Sequence, residues 1–221
     1  KVTFERSNDG TLASAEDAIQ ETRKALANGE IVAVKGLGGF HLACDATDAN
    51  AVTELRARKL RVDKPFALMM TDLGTIEKHC LVSDAERELL QYAARPIVLL
   101  NRRPGSNIAK EVAPHQDWIG VMLPYTPLHY LLLEKSVGYP EALVMTSGNL
   151  SEEPIATDND EARERLSKLA DALLMHDRDI HIRCDDSVVR VFRDQLSVNR
   201  KPTTDHRSLT TYPLRRSRGY S

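Results

Sequence analysis

Apolar and polar positions alternate along this chain in blocks rather than residue by residue. Short apolar runs recur: "IVAVK" (Ile31 to Lys35), "PFALMM" (Pro65 to Met70), "PIVLL" (Pro96 to Leu100), "IGVML" (Ile119 to Leu123), "ALVMT" (Ala142 to Thr146), then "ALLMH" and "SVVRVF". Runs of this length, several of them β-branched, predict strands buried on both faces. Between them lie helix signals. Ser14 followed by Asp17 predicts an N-cap ahead of a helix through Asn28, stopped by Gly29. Thr47 can cap a second helix with Ala51, Val52 and Leu55 on one face, and Ser83 with Glu86 forms a capping box for a helix through about Tyr92. Thr126 and Pro127 open a helix carrying Leu128, Leu131 and Leu132, and Asp158 with Glu161 caps a charged helix through Leu169. Strands alternating with helices predict an α/β domain layered around one sheet. There is no internal repeat. From Arg193 to Pro213 the chain turns polar, with "NRKPTTDHRSLTT" at its centre, and reads as a lid, insertion or hairpin before the terminal "LRRSRGYS".

A length of 221 residues suits one large domain, or one domain with an appended element. Apolar residues make up 42% and charged residues 28%, ordinary for a globular chain. The formal charge of −2 excludes a strong global pull toward nucleic acid and leaves room for a local basic patch. No apolar run approaches the roughly 20 residues that span a bilayer, and the polar start with Glu5, Arg6 and Asp9 has no signal-peptide pattern. The expected setting is the cytoplasm, with no membrane partner. Cys44, Cys80 and Cys184 are odd in number, far apart and without a CxxC pair, so they read as buried reduced thiols.

Four segments carry candidate chemistry. "VKGLGGFHLACDA" (Val34 to Ala46) has a lysine, three glycines and a histidine in seven positions, Lys35 to His41. It resembles a phosphate-binding glycine loop, yet His41 stands where the third glycine of a dinucleotide fingerprint belongs, and the Walker spacing fails. A tight strand-to-strand turn explains it equally well. "RARKLRVDK" (Arg56 to Lys64) places five cations in nine residues. A solvated helix end is the common origin of such density, but here it runs into a loop before Pro65. Lys59, Arg61 and Lys64 can converge there as a triphosphate requires.

"MTSGNLSEEP" (Met145 to Pro154) follows an apolar strand and sets Thr146, Ser147, Asn149 and Ser151 at its carboxyl end, where open α/β sheets bind ligands. An ordinary Asx or Ser turn is the alternative. In "IRCDDSVVR", Asp185 and Asp186 could ligate magnesium, act as bases or pair with arginines; pairing is the commonest use, and no metal site is assigned. Arg215, Arg216 and Arg218 could close over an anion. Neither G-x-S-x-G nor H-E-x-x-H occurs, which leaves hydrolase and zincin readings without support.

Taken in order, these segments resemble the YrdC-like domain family, in the version found within the hydrogenase-maturation carbamoyltransferases, HypF. "VAVKGLGGFHLACDA", "LRARKLRVDKPFALMM", "GVMLPYTPLHYLLL", "LVMTSGNLSEEPI", "DRDIHIRCDDSVVR" and "RRSRGY" carry the likeness. The family's K-x-R element falls on Lys59 and Arg61, and its S-x-N element on Ser147 and Asn149. Stand-alone members, which make threonylcarbamoyl-adenylate for tRNA modification, carry threonines in the first loop and tend to have an arginine where this chain has Met122. Both departures point away from threonine.

The resemblance implies a single YrdC-like domain with a twisted mixed sheet, flanking helices and a basic concave cleft. It spans residues 1–192, with 193–213 as insertion or lid and 214–221 as an arginine-rich segment completing the cleft. It implies ATP, magnesium carried with the nucleotide, and carbamate derived from carbamoyl phosphate. The products are carbamoyl-adenylate and pyrophosphate. The implied nucleotide residues are Lys59, Arg61, Lys64, Thr146, Ser147, Asn149, Arg215 and Arg218, with Lys59 and Arg61 catalytic. Lys35, Gly36, Gly38, Gly39 and His41 are implied as the carbamoyl pocket. Acylphosphatase, zinc-finger and Kae1-like domains, and a small carrier protein ending in cysteine, are the implied partners, so the chain is expected to be one domain of a longer protein. A double-stranded RNA-binding module is the non-catalytic alternative; the net charge of −2 and 5% aromatic content disfavour it.

Overall fold

A computed structural model describes residues 1–8, 10, 12–150, 153–193 and 209–217. The chain begins with β1 (Val2–Arg6), β2 (Leu12–Ser14) and α1 (Glu16–Ala27). The glycine loop lies between β3 (Val32–Lys35) and β4 (Phe40–Asp45), followed by α2 (Ala49–Arg58) and β5 (Ala67–Met70). Then come α3 (Leu73–His79), β6 (Cys80–Leu81), α4 (Asp84–Gln91), β7 (Ile97–Arg102) and β8 (Trp118–Met122). The remainder is α5 (Pro127–Leu132), β9 (Ala142–Ser147), α6 (Asn159–Leu166), β10 (Ala172–His176), β11 (Val188–Arg193) and β12 (Leu209–Arg215). Among the described residues these strands form one twisted mixed sheet in the order β12-β11-β7-β8-β5-β9-β4-β3-β10-β1-β2, with β6 pairing on β7. β10/β3, β11/β7 and β5/β8 are parallel.

Alternation along each strand divides the core in two. On one face α2, α3, α4 and α6 bury Val52, Leu55, Ile76, Leu90 and Leu166 against Phe40, Leu42, Leu68, Val98, Val121 and Val144. On the other, α1 and α5 bury Ile19, Leu26 and Leu132 against Phe4, Val34, Met69, Met122 and Leu143. Met122 is fully buried there. Farther across this second face, Ala67, Leu99, Trp118 and Gly120 line an open cavity. The site therefore sits where the second helical layer stops.

Local signals fared unevenly. The capping box at Ser83 and Glu86 forms, and Thr126 caps α5 with Pro127 in its first turn. Gly29 takes the left-handed φ of +79° after α1, as a helix stop requires. Ser14 is not a cap. It is held extended by pairing with Thr3, and α1 starts after Ala15 without a side-chain cap. Asp48, not Thr47, caps α2, because its carboxylate accepts from the N–H groups of both Asn50 and Ala51 while Thr47 turns back onto Asp45. Cys44 and Cys80 are buried; Cys184 is only half-buried, because it lies in a loop beside Ser217. Of the polar segment from Arg193 to Pro213, residues 194–208 lie outside the described residues. Residues 209–213 are part of β12, which runs on to Arg215 and pairs antiparallel with β11, as in the hairpin alternative.

Candidate active site

A cavity of about 410 Å³ opens on the second face of the sheet, over β5, β7, β8 and β9. Its floor is Ile97, Leu99, Trp118, Gly120 and Met145. A side chain at Gly120 would have its Cβ 2.8 Å from the Ile97 Cγ2, so only glycine keeps this floor low. Its polar wall comprises Arg61, Lys64, Thr146, Ser147, Asp185, Asp186 and Arg215. Three cations from two segments far apart in sequence, Arg61 with Lys64 and the distant Arg215, thus meet on one hollow.

The loop after α2 is organised by backbone carbonyls. Arg61 donates through Nε to the Lys64 carbonyl (2.9 Å), through Nη2 to that of Pro65 (2.5 Å) and through Nη1 to Thr146 Oγ1 (3.2 Å). Its guanidinium lies 4.8 Å from the centre of the Phe66 ring. Burial, with Arg56 and Arg215 nearby, brings its pKa down to about 10.

Lys59, at the end of α2, turns inward instead of reaching the cavity. Its Nζ donates to the carbonyls of Ser147 (2.6 Å) and Asn149 (2.5 Å), with Asn149 Oδ1 at 3.4 Å. Ser147 Oγ in turn donates to Asn149 Oδ1 at 2.7 Å. The K-x-R and S-x-N elements are therefore one hydrogen-bonded unit, with Lys59 as its centre. Burial, aided by the like charges of Arg61 and Lys64, drives the Lys59 pKa down to about 7.

The glycine loop is a tight turn within the β3–β4 hairpin, closed by Gly36 N–H donating to the Gly39 carbonyl at 2.8 Å, and it does not lead into a helix. Gly38 packs so closely that a Cβ would stand 2.3 Å from the Cys184 carbonyl oxygen. Lys35 and Gly36 line a second cavity, of about 430 Å³, with Tyr125, Leu128, His176 and Arg178. Lys35 is bound there to Asn159 Oδ1 (2.8 Å) and the His176 carbonyl (3.1 Å). His41 alone of the loop residues turns toward the first cavity. It pairs across from Ser147 in the β4–β9 register, and its Nε2 lies 3.1 Å from Asp186 Oδ2.

The structure thus brings Arg61, Lys64, Thr146, Ser147 and Arg215 onto one cavity, with Lys59 and Asn149 behind its wall and His41 reaching it through Asp186. Lys35 and Gly36 belong to the second cavity, Gly38 and Gly39 pack against Cys184 and Ile155, and Arg216 is exposed. Ser151 and Arg218 lie outside the described residues. Arg215 forms an ion pair with Asp185 and donates through Nε to the Asp186 carbonyl at 2.9 Å, so the terminal strand is anchored at the cavity rim. Tyr125, whose hydroxyl donates to Asp186 Oδ1 at 3.3 Å, and the floor residues Trp118 and Gly120 were not legible as site residues. The alternation in "WIGVM" places Trp118, Gly120 and Met122 on one face but says nothing of which part of that face is uncovered.

The mixed sheet with its flanking helices is the fold of a known family. Sua5/YciO/YrdC, described as "Telomere recombination", matches residues 24–201, and the chain belongs to it. It is 53% identical over 186 residues to carbamoyltransferase HypF2 of Cupriavidus necator, covering 79% of this chain and 23% of that protein. It is 45% identical to carbamoyltransferase HypF of Synechocystis over 221 residues, 100% of this chain and 26% of the relative. Among solved structures, full-length HypF in its phosphate- and nucleotide-bound form superposes with a TM-score of 0.85 at 44% identity, over 100% of this chain and 26% of that one. The chain spans about a quarter of the length of these relatives.

Proposed function

We propose that this domain activates carbamate with ATP, forming carbamoyl-adenylate and releasing pyrophosphate, as one step of carbamoyl transfer in [NiFe]-hydrogenase maturation. The observation that carries the reading is the meeting of Arg61, Lys64 and Arg215 with Thr146 and Ser147 on one cavity, in a chain so similar to carbamoyltransferases. A carbamate oxygen attacks the α-phosphorus, the bond to the bridging oxygen breaks, and pyrophosphate leaves with the charge of that bond. Carbamate is already ionised, so no protein group has to remove a proton. The work is alignment and charge neutralisation. Arg61, Lys64 and Arg215 offset the phosphate charge, Thr146 and Ser147 supply hydroxyls, and Lys59 fixes the turn that carries Ser147 and Asn149. Magnesium arrives with the nucleotide as part of the substrate. In the longer protein, an acylphosphatase domain supplies carbamate, and a Kae1-like domain passes the carbamoyl group to a carrier protein's terminal cysteine, with a zinc-finger region alongside, in the cytoplasm.

The test is ATP–pyrophosphate exchange by the purified chain with magnesium and a carbamate source, with threonine as the competing substrate. Carbamate-dependent exchange that disappears in Lys59→Ala and Asn149→Ala supports the reading. Exchange only with threonine would move the domain to threonylcarbamoyl-adenylate synthesis, and failure to bind any nucleotide would refute the assignment. RNA affinity falling steeply with salt would mark the non-catalytic alternative.

A further inference from the structure

A buried carboxylate stands on the wall of this cationic cavity, and its presence calls for a reason. Asp186 is 6% exposed and lines the cavity beside Arg61, Lys64, Ser147 and Arg215. Its neighbour Asp185 is the ion-pair partner of Arg215 at the rim. Asp186 is held differently: His41 Nε2 lies 3.1 Å from Oδ2, the Tyr125 hydroxyl donates to Oδ1 at 3.3 Å, and its own N–H donates to Asp185 Oδ1 at 2.9 Å. His41 is itself fixed by the register of β4 on β9 and by the packing of its ring 6.2 Å from that of His129; Tyr125 stacks edge-on to the same ring at 4.5 Å. The carboxylate therefore keeps its position on the wall.

A fixed carboxylate beside an anion repels it unless the anion offers that carboxylate a hydrogen bond. Each carboxylate oxygen has two lone pairs, so a ligand donor can be added to the protein donors it already receives. We propose that Asp186 is the specificity-determining residue for the acyl substrate: it accepts a hydrogen bond from the substrate's amino group and selects an acid anion bearing N–H on the carbon next to its oxygens. His41 and Tyr125 are its positioning residues. Simple carboxylates such as acetate match the shape of carbamate but have a methyl group at that position, and meet an unreciprocated negative charge. The inference rests on reading this cavity as the adenylation site, and gives the loop histidine a role through Asp186 rather than by direct contact.

Sulfamate and methanesulfonate are stable anions that differ only in an amino group against a methyl group. Their affinities for the full chain, titrated at fixed ionic strength and followed by NMR, test the inference without nucleotide turnover. Sulfamate should bind at least about tenfold more tightly, as expected where a site is built around a ligand N–H. Asp186→Asn should abolish that preference and Asp185→Asn should keep it. Tyr125→Phe, which loosens the carboxylate without removing it, should reduce the preference several-fold, and remains informative if Asp186→Asn fails to fold. Equal affinities, no binding of either anion, or a preference that survives in Asp186→Asn would overturn the assignment. Pyrophosphate exchange tests the adenylation reading separately: exchange without amino selectivity removes the role of Asp186 alone, and selectivity without exchange removes the adenylation step alone.

Discussion

Two lysines in this domain are almost equally buried, Lys59 at 2% exposure and Lys35 at 3%, and they face opposite electrostatic surroundings. Both lose hydration, and in both burial is the largest cause of a lowered pKa. Around Lys59 the next neighbours are Arg61 and Lys64, which push the same way. Around Lys35 they are Asp179, Asp158 and Asp177, which push back. The first region is a hollow with an excess of positive charge that a polyanion would relieve. The second is balanced by its own carboxylates and gains little from a phosphate. Burial alone does not mark a ligand site; the sign of the surrounding charge separates the two.

The sharpest way to break this comparison is to remove each ammonium. Lys59→Met should lower pyrophosphate exchange by about a hundredfold or more. It should also cost about 1–3 kcal/mol of stability, because it strands the Ser147 and Asn149 carbonyls it now satisfies. Lys35→Met should leave ATP affinity within about twofold, since nearby acids already offset its charge. Equal losses in the two variants, read by calorimetry and exchange, would erase the distinction. Arg61→Ala comes next, with ATP binding weakened roughly tenfold through loss of a charge-assisted contact.

Gly38→Ala separates packing from binding. The added Cβ meets a backbone oxygen at 2.3 Å, so thermal unfolding should reveal a loss of about 1–3 kcal/mol. ATP affinity of the folded protein should change much less, as Gly38 lines neither cavity.

The smallest effect is in pH dependence. Lys59 titrates at about 7 when folded, against an ordinary 10.5. Between those values the unfolded chain holds more protons, so this group's contribution makes stability rise with pH across that window. Under the proposed function, nucleotide binding should have the opposite slope, because phosphates favour the charged amine. ATP binding should take up a proton about one unit above that folded pKa and little below it, measured by calorimetry in buffers of different protonation enthalpy.

Much of this was legible along the chain. The apolar runs became β3, β5, β7, β8, β9, β10 and β11, since a strand buried on both faces leaves a continuous apolar signature. The N-terminal strands β1 and β2, of which β2 is the sheet edge, left little, because Val2–Arg6 and Leu12–Ser14 are short, and only pairing with β10 and each other makes them strands. Ser14 failed as a cap for the same reason: pairing outweighed a local preference worth about 1 kcal/mol.

The sequence by itself determined the α/β class and the short-range chemistry: the cations of Arg56 to Lys64 at the end of one helix and in the loop after it, the hydroxyls at the end of β9, and a glycine-rich stretch that a tight turn explained as well as a phosphate loop did. Those are consequences of local backbone geometry and side-chain type. What only the tertiary structure decided is which groups share a surface. Lys59 serves Ser147 and Asn149, 88 and 90 residues away, and Arg61 reaches Thr146, 85 away. His41 faces Asp186, 145 residues on, and Lys35 belongs with a different set of charges. Such partnerships depend on strand order, on which face each residue takes and on where the second helical layer ends. None of these is a property of any short segment.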